Sequence, residues 1–577
     1  MDKKVIPIGI SDFKSFNDKD YYYVDKTLMI KDIIDNKVLV TLFTRPRRFG
    51  KTLNLSMIKY FFEKTDEDNS YLFEDLNIWK AGEKYKEYQG KYPVINLDFK
   101  SVEGLSWKEA YEKAKVMITS EYIRHGYLLN SDILSDDEKN LYNKLKSLKF
   151  DASETDYMYS IKNLCIYLEK YYKQKPIILI DEYDVPLQRA YLNDYYKEAI
   201  NFFRGLLQDA LKTNNSLEFA VMTGCLRISK ESIFTGLNNL KINSILDINY
   251  AEHFGFLQEE VDEMIKYYDI EEKRDEIKDW YDGYQFGSKK IYNPWSILYY
   301  ISQARINKNK YPEAYWVNTS GNDIVKKLIK NADEMTKNEI EILINGGTID
   351  KALNANITYN ELEENIDNIW SMLFFTGYLT YVEEKREEGA VTSYYSLKIP
   401  NKELYYIYEN IIKEWFKERI KHKDFSALYQ NLIDGNENEL KLAINKFLIK
   451  NISFYDSNES FYHGLLTGIL GRINDYSIYS NLESGYGRSD IILEPVDERK
   501  AAIVIELKVA SEIEKLGQKC QEALEQIENK NYDTYLKKRG FDNIIKYGIA
   551  FFSKRCLVKK KEESDRTERS KGAFLTC

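Results

Sequence analysis

The sequence predicts a multidomain α/β protein in which a parallel sheet with flanking helices is followed by a mainly helical region and a smaller α/β domain. Three observations predict this fold class. An apolar run that ends at Thr44 leads through a short loop into a helical pattern. The apolar run 177–180 is bounded by acids, as in a central parallel strand. The runs 491–493 and 501–505 flank an acidic turn, which is typical of neighbouring strands.

The chain length predicts several domains, because 577 residues exceed what one hydrophobic core usually organises. The composition, 44% apolar and 30% charged, is typical of globular proteins. We expect an N-terminal α/β domain over 1–250 and a helical lid or connector over 251–457. A second, smaller α/β domain over 458–558 and a charged, disordered tail over 559–577 would follow.

Charge and cysteine usage exclude some classes of protein. The formal net charge of −9 gives no overall basic signature for nucleic acid, although a local basic channel can lie on an acidic protein. The five cysteines form no CxxC pair and the four histidines are scattered, so we expect neither a zinc site nor disulfides. No leader-like segment and no apolar run of membrane-spanning length is present, which predicts a cytoplasmic protein without a membrane partner.

The segment 38–58, VLVTLFTRPRRFGKTLNLSMI, has the order of strand, loop and helix that a phosphate-binding P-loop needs. In such a loop, backbone N–H groups and the helix N-terminus face an anion. Lys51 is predicted to reach the outer phosphates, and the Thr52 hydroxyl to bind Mg²⁺. ATP with Mg²⁺ (or Mn²⁺) is therefore the expected cofactor.

The loop departs from the P-loop pattern at its first position, where Arg45 replaces the glycine that allows a tight turn. We expect Arg45, Arg47 and Arg48 to compensate in part by placing positive charge beside the phosphates. This substitution leaves hydrolysis open, while the pattern still predicts binding. The predicted nucleotide contacts in the loop are Arg47, Arg48, Phe49, Gly50, Lys51 and Thr52.

Acidic residues follow the predicted strand 177–180, at the edge of the sheet where open α/β folds bind ligands. Asp181 is predicted to hold Mg²⁺ through water, and Glu182 to orient or deprotonate the attacking water. After the next strand, Thr223 is predicted to contact the γ-phosphate or that water, and Arg227 to act as a charge sensor. The alternatives are an ordinary buried strand that ends in solvated acids and, for Arg227, a surface or interdomain ion pair.

A second group of charged residues lies near the C-terminus. Asp490 begins one predicted strand, and Glu506, sixteen positions later, ends its neighbour. Their carboxylates are predicted to converge and bind one or two divalent metal ions. Lys508, two residues on and therefore on the same strand face, would orient a water or stabilise charge on a phosphodiester. Glu483 is a candidate further ligand; the alternative is two edge strands with exposed charges.

Two other polar residues of the C-terminal region are not predicted to bind metal. Gln526, on the following helix, is interpreted as a solvated residue, with contact to a DNA backbone as the alternative. His463 is interpreted as structural rather than as a metal ligand. No residues between about 250 and 460 have catalytic spacing.

The chain resembles a bacterial and archaeal family that joins an AAA-ATPase-like domain to a PD-(D/E)XK nuclease-superfamily domain. The resemblance covers nearly the whole chain and is carried by IGISDFKSF, YYYVDKTLMI, TRPRRFGKTLNLSM, IILIDEYDVPL, TGCLRISKESIFTGLNNL, WYDGYQFG, YNPWS, LFFTGYLT, GYGRSDIIL and IELKV. It implies a P-loop NTPase fold followed by a restriction-endonuclease-like fold. It also implies a metal-dependent nuclease whose engagement of DNA is controlled by ATP.

Two other functions remain open on the sequence. The acidic net charge and the altered loop are compatible with a signalling or scaffold ATPase that switches on nucleotide binding, with a nuclease-like domain that binds without cutting. An ATPase that delivers DNA to a partner is the third possibility. If Arg227 acted in trans, the protein would be a homo-oligomer.

Overall fold

The computed structural model describes residues 3–147, 152–226, 239–316, 333–344, 346–355, 367–386, 389, 392–408, 424–451, 459–484 and 487–561. The chain forms two compact units. The first contains Met1–Ala332 and Gly346–Ile407, and the second contains Asp333–Asn345 and Tyr408–Cys577. Among the helices within the described ranges, none combines the length and the apolar character needed to cross a bilayer.

The first unit contains most of the helices. Its α-helices are Lys14–Asp18, Leu28–Asn36, Lys51–Phe62, Asn77–Lys80, Glu83–Lys86, Trp107–Arg124, Asp136–Lys146, Glu154–Tyr172, Val185–Leu192, Tyr196–Leu211, Gln258–Tyr267, Arg274–Tyr281, Pro294–Ala304 and Asp367–Phe375. A further helix begins at Lys402. The α-helices of the second unit are Glu334–Ile344, Ser426–Ile433, Glu437–Asn451, Glu459–Leu470, Leu516–Asn529 and Thr534–Lys538.

The strands form two five-stranded sheets and two smaller ones within the described residues. They are β1 Val40–Thr44, β2 Val94–Asp98, β3 Ile177–Asp181, β4 Ala220–Gly224, β5 Leu240–Asn243, β6 Tyr284–Phe286, β7 Lys289–Ile291, β8 Ile349–Ala352, β9 Thr380–Lys385, β10 Tyr394–Lys398, β11 Tyr476–Ser484, β12 Gly487–Pro495, β13 Ala502–Val509, β14 Ile544–Phe552 and β15 Arg555–Lys560.

The large sheet of the first unit is parallel, in the order β2-β3-β4-β1-β5. The strands β1, β3 and β4 are buried along their whole length, as expected for strands covered on both faces. Because the pairing is parallel, Thr44, Asp181 and Gly224 end their strands at one edge of the sheet. The predicted parallel sheet with flanking helices is confirmed, and this edge carries the phosphate loop.

The region after residue 250 is not purely helical. It also contains the antiparallel hairpin β6–β7 and the antiparallel sheet β8-β10-β9. These strands have only three to six residues, and β9 exposes four of its six side chains. Such short strands do not give the sustained alternation by which a strand is recognised in a sequence.

The second unit is built on the mixed sheet β11-β12-β13-β14-β15, in which only β13 and β14 pair in parallel. Odd-numbered residues of β13, such as Ile503 and Ile505, pack into a core that includes Leu428, Leu448 and Leu466 from three helices. Even-numbered residues such as Val504 face the helix Leu516–Asn529. The predicted second α/β domain is confirmed.

The C-terminal segment needs one correction. Strand β15 pairs with β14 up to Lys560, so residues 559 and 560 belong to the sheet and not to a disordered tail. The misjudged residues are lysines, which look like a solvated run in the sequence but lie on an edge strand, where lysine is common. Residues 562–577 lie outside the described residues.

Candidate functional site

The phosphate loop connects the end of β1 to the helix Lys51–Phe62. Two of its residues have left-handed backbone conformations, Arg48 with φ 71° and Gly50 with φ 86°. Arg45 is not among the positive-φ residues, so the position where a glycine was expected does not need one here. The chain makes its tight turn later, at Arg48 and Gly50.

The expectation that Arg45 adds charge beside the phosphates is wrong. Its side chain is fully buried, and Nη1 donates to the carbonyl oxygens of Thr44 at 2.9 Å and Asn243 at 2.7 Å. The guanidinium lies over the rings of Phe254 and Phe286, at 4.8 and 5.4 Å from their centroids. Burial lowers the pKa of Arg45 to about 9. Arg45 therefore ties β1 to β5 from within the core.

Lys51, the predicted phosphate ligand, is 3% exposed and lies inside the loop. Its Nζ donates to the carbonyl oxygens of Arg45 and Pro46, both at 3.2 Å, and lies 3.6 Å from the Cys225 sulfur. Burial opposes its charge, but Cys225 and then the carboxylates of Glu182, Asp184 and Asp181 outweigh that effect, so the pKa of Lys51 is raised. The Lys51 ammonium is thus held in its charged form within the loop.

Asp181 joins the end of β3 to the first turn of the helix after the loop. Its Oδ2 accepts a hydrogen bond from the Thr52 hydroxyl at 2.6 Å, and its Oδ1 accepts one from the Thr223 hydroxyl. Burial and the neighbouring Glu182 raise the pKa of Asp181. A hydroxyl and a buried carboxylate in contact are hard oxygen donors, which is the ligand chemistry that Mg²⁺ prefers.

Glu182 follows β3 with φ 51°, a left-handed conformation that turns the chain sharply. Its Oε1 lies 3.5 Å from the Lys51 ammonium. Its backbone N–H donates to the Thr223 hydroxyl oxygen at 3.4 Å. The structure therefore brings Lys51, Thr52, Asp181, Glu182 and Thr223 together, while Arg227 lies outside the described residues.

Sequence reasoning missed the role of the next two residues, Tyr183 and Asp184. The Asp184 carboxylate accepts hydrogen bonds from the N–H groups of Cys225 and Leu226, at 2.9 and 3.0 Å, and the Tyr183 hydroxyl donates to the Leu226 carbonyl at 2.5 Å. Burial and the neighbouring Glu182 raise the pKa of Asp184 to about 6. The available signal was Asp184, the third acid of the IDEYD segment.

The side chains of the remaining predicted loop contacts are held by protein groups. Arg47 donates to the Gln188 Oε1 at 2.8 Å, and the Arg48 guanidinium lies 4.0 Å from the Trp295 ring centroid. Phe49 is fully buried. A nucleotide contact by Phe49 would therefore use its backbone N–H. The stacking of Arg48 contributes about 0.5–1 kcal/mol, which partly offsets the cost of its left-handed backbone.

In the second unit, Asp490 and Glu506 meet where two strands separate. The β12–β13 ladder has Ile491 opposite Ile505, which places Asp490 opposite Glu506. At this point the two carboxylates, and not backbone carbonyl groups, accept hydrogen bonds from the backbone of the neighbouring strand. The Asp490 N–H donates to the Glu506 Oε2 at 3.4 Å, and the Leu507 N–H donates to the Asp490 Oδ2 at 2.8 Å. The sixteen-residue spacing thus brings both acids to one point.

Glu506 is 1% exposed, and two side chains donate to its Oε1: Lys508, at 3.3 Å, and Gln526. Burial and the neighbouring Asp490 raise the pKa of Glu506 to about 7, against the opposing effect of Lys508. The interpretation of Gln526 as a solvated residue is wrong, since its amide contacts Glu506 and lies 3.2 Å from the Tyr532 hydroxyl oxygen. Helical spacing alone did not reveal this, because the contact depends on how the helix crosses β13.

Two further residues are considered from the sequence to lie near Asp490, namely His463 and Glu483. The His463 Nε2 lies 3.0 Å from the Asp490 carbonyl oxygen and 3.1 Å from the Ser480 hydroxyl oxygen, contacts that fit the structural role expected for it. The side chain of Glu483 lies outside the described residues. Within the part of the chain that the structure describes, no three His, Cys, Asp or Glu side chains are grouped to share a metal ion.

Comparison with known proteins finds one family match within each compact unit. Residues 7–234 match a family described as "Predicted AAA-ATPase", and residues 457–561 match the PD-(D/E)XK nuclease superfamily. An uncharacterized protein from the vnfD 5′ region of Azotobacter chroococcum mcd 1 is 25% identical over 407 residues, which cover 70% of this chain and 69% of that protein. The first match contains the phosphate loop and Asp181, and the second contains Asp490 and Glu506. The chain is therefore a fusion of an AAA-ATPase-like domain with a domain of the PD-(D/E)XK nuclease superfamily.

Proposed function

We propose that this protein is a cytoplasmic, ATP-controlled nuclease that cuts the phosphodiester bonds of DNA with the help of a divalent metal ion. One observation carries the proposal: Asp490, Glu506 and Lys508 lie together at the point where β12 and β13 separate. Two carboxylates and an ammonium at one point can bind a cation and stabilise negative charge on a phosphate. The match to the nuclease superfamily over the same residues supports this reading.

The donor set of the second unit fits Mg²⁺ or Mn²⁺, since both potential ligands are carboxylates. Burial and the nearby Asp490 disfavour the charged form of Glu506, and a cation bound between the two carboxylates would stabilise that charge. Such an ion would neutralise phosphate charge and activate a water. Gln526 would hold the Glu506 carboxylate in place, and Lys508 would stabilise charge that develops on the phosphodiester.

The first unit would bind ATP with Mg²⁺ at the phosphate loop. Lys51 would contact the outer phosphates, together with Arg47, Arg48 and the backbone of Phe49 and Gly50. The Thr52 hydroxyl oxygen and the Asp181 Oδ2, which lie 2.6 Å apart, would hold the metal ion that neutralises phosphate charge. Glu182 would orient the attacking water, Thr223 would hold the Asp181 carboxylate, and Arg227 would sense charge, in trans if the protein is a homo-oligomer.

The nuclease assignment is tested with end-labelled single- and double-stranded DNA in Mg²⁺ or Mn²⁺, with and without ATP. Glu506→Gln should lower the cleavage rate by about a hundredfold or more, because it removes a metal-binding charge. Glu512→Gln is the matched control, since Glu512 is exposed and pairs only with Lys515 among the contacts described. Unchanged cleavage by Glu506→Gln would overturn the assignment.

The nucleotide assignment is tested by titration with a fluorescent ATP analogue. Lys51→Ala should weaken binding by about tenfold or more, because it removes the ammonium that faces the phosphates. Lys59→Ala, on the same helix but paired with Glu63 at 3.6 Å, is the control. ATP should change DNA cleavage only when Lys51 is intact; equal affinity in the two variants would refute the assignment.

A second function is favoured by the state of the loop itself. The Arg47 side chain donates to Gln188, and the Arg48 guanidinium stacks on Trp295, so both are engaged by protein groups. A signalling or scaffold ATPase that switches on binding, without turnover, fits that arrangement. Tight ATP binding with neither hydrolysis nor cleavage would support it, while salt-sensitive DNA binding without cleavage would indicate delivery of DNA to a partner.

A further inference from the structure

Sequence motifs outside the AAA-ATPase match surround the phosphate loop. We call the five residues Tyr284, Phe286, Trp295, Trp316 and Gly377 the collar. The rings of Tyr284 and Phe286 each lie 5.0 Å from the ring of Phe49. These residues come from the segments WYDGYQFG, YNPWS, YWVN and LFFTGYLT, all of which lie outside residues 7–234.

The rest of the collar contacts the three residues of the loop that precede Phe49. Trp295 lies under the Arg48 guanidinium, and the Trp316 Nε1 donates to the Arg47 carbonyl oxygen at 3.3 Å. Gly377, with φ 89°, lies so close to Pro46 that an added Cβ would be 2.9 Å from the proline Cβ. Every loop residue from Pro46 to Phe49 therefore contacts the collar.

Trp316 connects the loop to a buried carboxylate. Its backbone N–H donates to the Glu403 Oε1 at 2.7 Å, and the Ser296 hydroxyl donates to the Oε2 at 2.7 Å. Trp316 is 2% exposed, and Glu403 and Ser296 are fully buried. All three residues are enclosed by other protein groups. A shift of the Arg47 carbonyl must therefore be taken up by movement of these packed groups and not by water.

Glu403 belongs to the first turn of the helix that begins at Lys402, and this turn is firmly held. Asn401 caps it by accepting from the Leu404 N–H at 3.1 Å. The preceding Pro400 packs so closely on Gly283 that an added Cβ there would lie 1.9 Å from the proline carbonyl oxygen. The first unit ends at Ile407, within this helix, and the chain then continues into the second unit.

We propose that Trp316 and Glu403 are positioning residues that relay the nucleotide state of the phosphate loop to the helix that begins at Lys402. The inference rests on the proposed binding of ATP. Phosphates draw Arg47 and Arg48 and their backbone towards the ligand, so the hydrogen bond to Trp316 differs between the empty and the bound loop. Glu403 transmits that difference because it contacts Trp316 and is part of the helix.

Hydrogen exchange of the amides in residues 401–407 tests the relay in the full-length protein, with and without ATP. In the wild type, ATP should change their exchange rates by about threefold to tenfold, the effect of roughly one hydrogen bond. Trp316→Phe and Glu403→Ala should abolish that change while a fluorescent ATP analogue still binds. Glu403→Gln keeps an oxygen that accepts from the Trp316 N–H and has an amide that can donate to the Ser296 hydroxyl oxygen, so it should preserve the change.

The control is Trp107→Phe, because the ring contacts described for Trp107 are to Tyr111, Phe202 and Phe203 and not to the loop. If Trp316→Phe binds ATP and retains the full change in exchange, the relay is refuted, even where Glu403→Ala fails to fold. A wild type that binds ATP without any change at 401–407 refutes it too. Failure of the wild type to bind ATP would instead overturn the proposed nucleotide site, and the relay with it.

Discussion

Replacing Glu403 by glutamine should make the free energy of unfolding of the protein less dependent on pH. Burial raises the pKa of this carboxyl from 4.5 to about 7, despite its hydrogen bonds from Trp316 and Ser296. The nearby titratable groups are the hydroxyls of Tyr281 and Tyr315, whose own pKa values are raised by burial, so they stay neutral in this range. Glu403 is therefore the group that titrates here between pH 5 and 8.

The sign and size follow from that shift. A carboxyl whose pKa is higher in the folded state stabilises the fold below pH 4.5, and this stability is lost as the pH rises through about 7. Between pH 5 and pH 8 the loss for wild type is about 2–3 kcal/mol, from 1.36 kcal/mol per pKa unit. Glutamine matches the protonated carboxyl in shape and hydrogen bonding and has no such loss.

Denaturant unfolding of the wild type and of Glu403→Gln, followed by tryptophan emission at several pH values, measures the effect. The difference in the free energy of unfolding should grow by about 2–3 kcal/mol in favour of the variant from pH 5 to pH 8. All other titrating groups are common to both proteins and cancel. A difference that stays constant over this range would show that Glu403 does not titrate as the structure indicates.

Three further predictions concern the packing of the second unit and the chemistry of the two sites. Gly548→Ala should destabilise the second unit by about 1–3 kcal/mol in thermal unfolding, because a Cβ there lies 2.4 Å from the Cys520 carbonyl oxygen; Gly517→Ala, with open space around it, should not. Arg45→Met should leave the affinity for ATP within about threefold of wild type, since the guanidinium faces the core, and a loss as large as that of Lys51→Ala would contradict this. Removal of divalent ions with EDTA should abolish DNA cleavage, and added Mn²⁺ should restore it; cleavage that persists in EDTA would refute a metal-dependent site.

The elements that carry the two sites were predictable from the sequence because their signals are local. Lys51 follows a strand and opens a helix, and Asp181 ends an apolar run, so parallel pairing alone places them at one edge. Asp490 and Glu506 are separated by one hairpin, and the register of that hairpin sets them opposite each other.

Features that depend on contacts between distant segments were not predictable. Arg45 looked like a phosphate ligand because it lies in the loop, but its direction is decided by Asn243 and Phe254, some two hundred residues away. Gln526 contacts Glu506 only because its helix crosses β13. The helical pattern of the sequence is compatible with either a buried or an exposed side chain at position 526. The short strands after residue 250 gave too few residues for a periodic signal.

The collar also sets the minimum size at which the AAA-ATPase-like part can be produced by itself. A polypeptide ending near residue 250, where its domain boundary was expected, would leave Phe49 without Tyr284 and Phe286 and would remove the tryptophans beside Arg47 and Arg48. Its phosphate loop would expose an aromatic side chain to water and lose the groups that fix its shape. Fragments meant for crystallisation or enzymology should therefore extend to about residue 407, where the first compact unit ends.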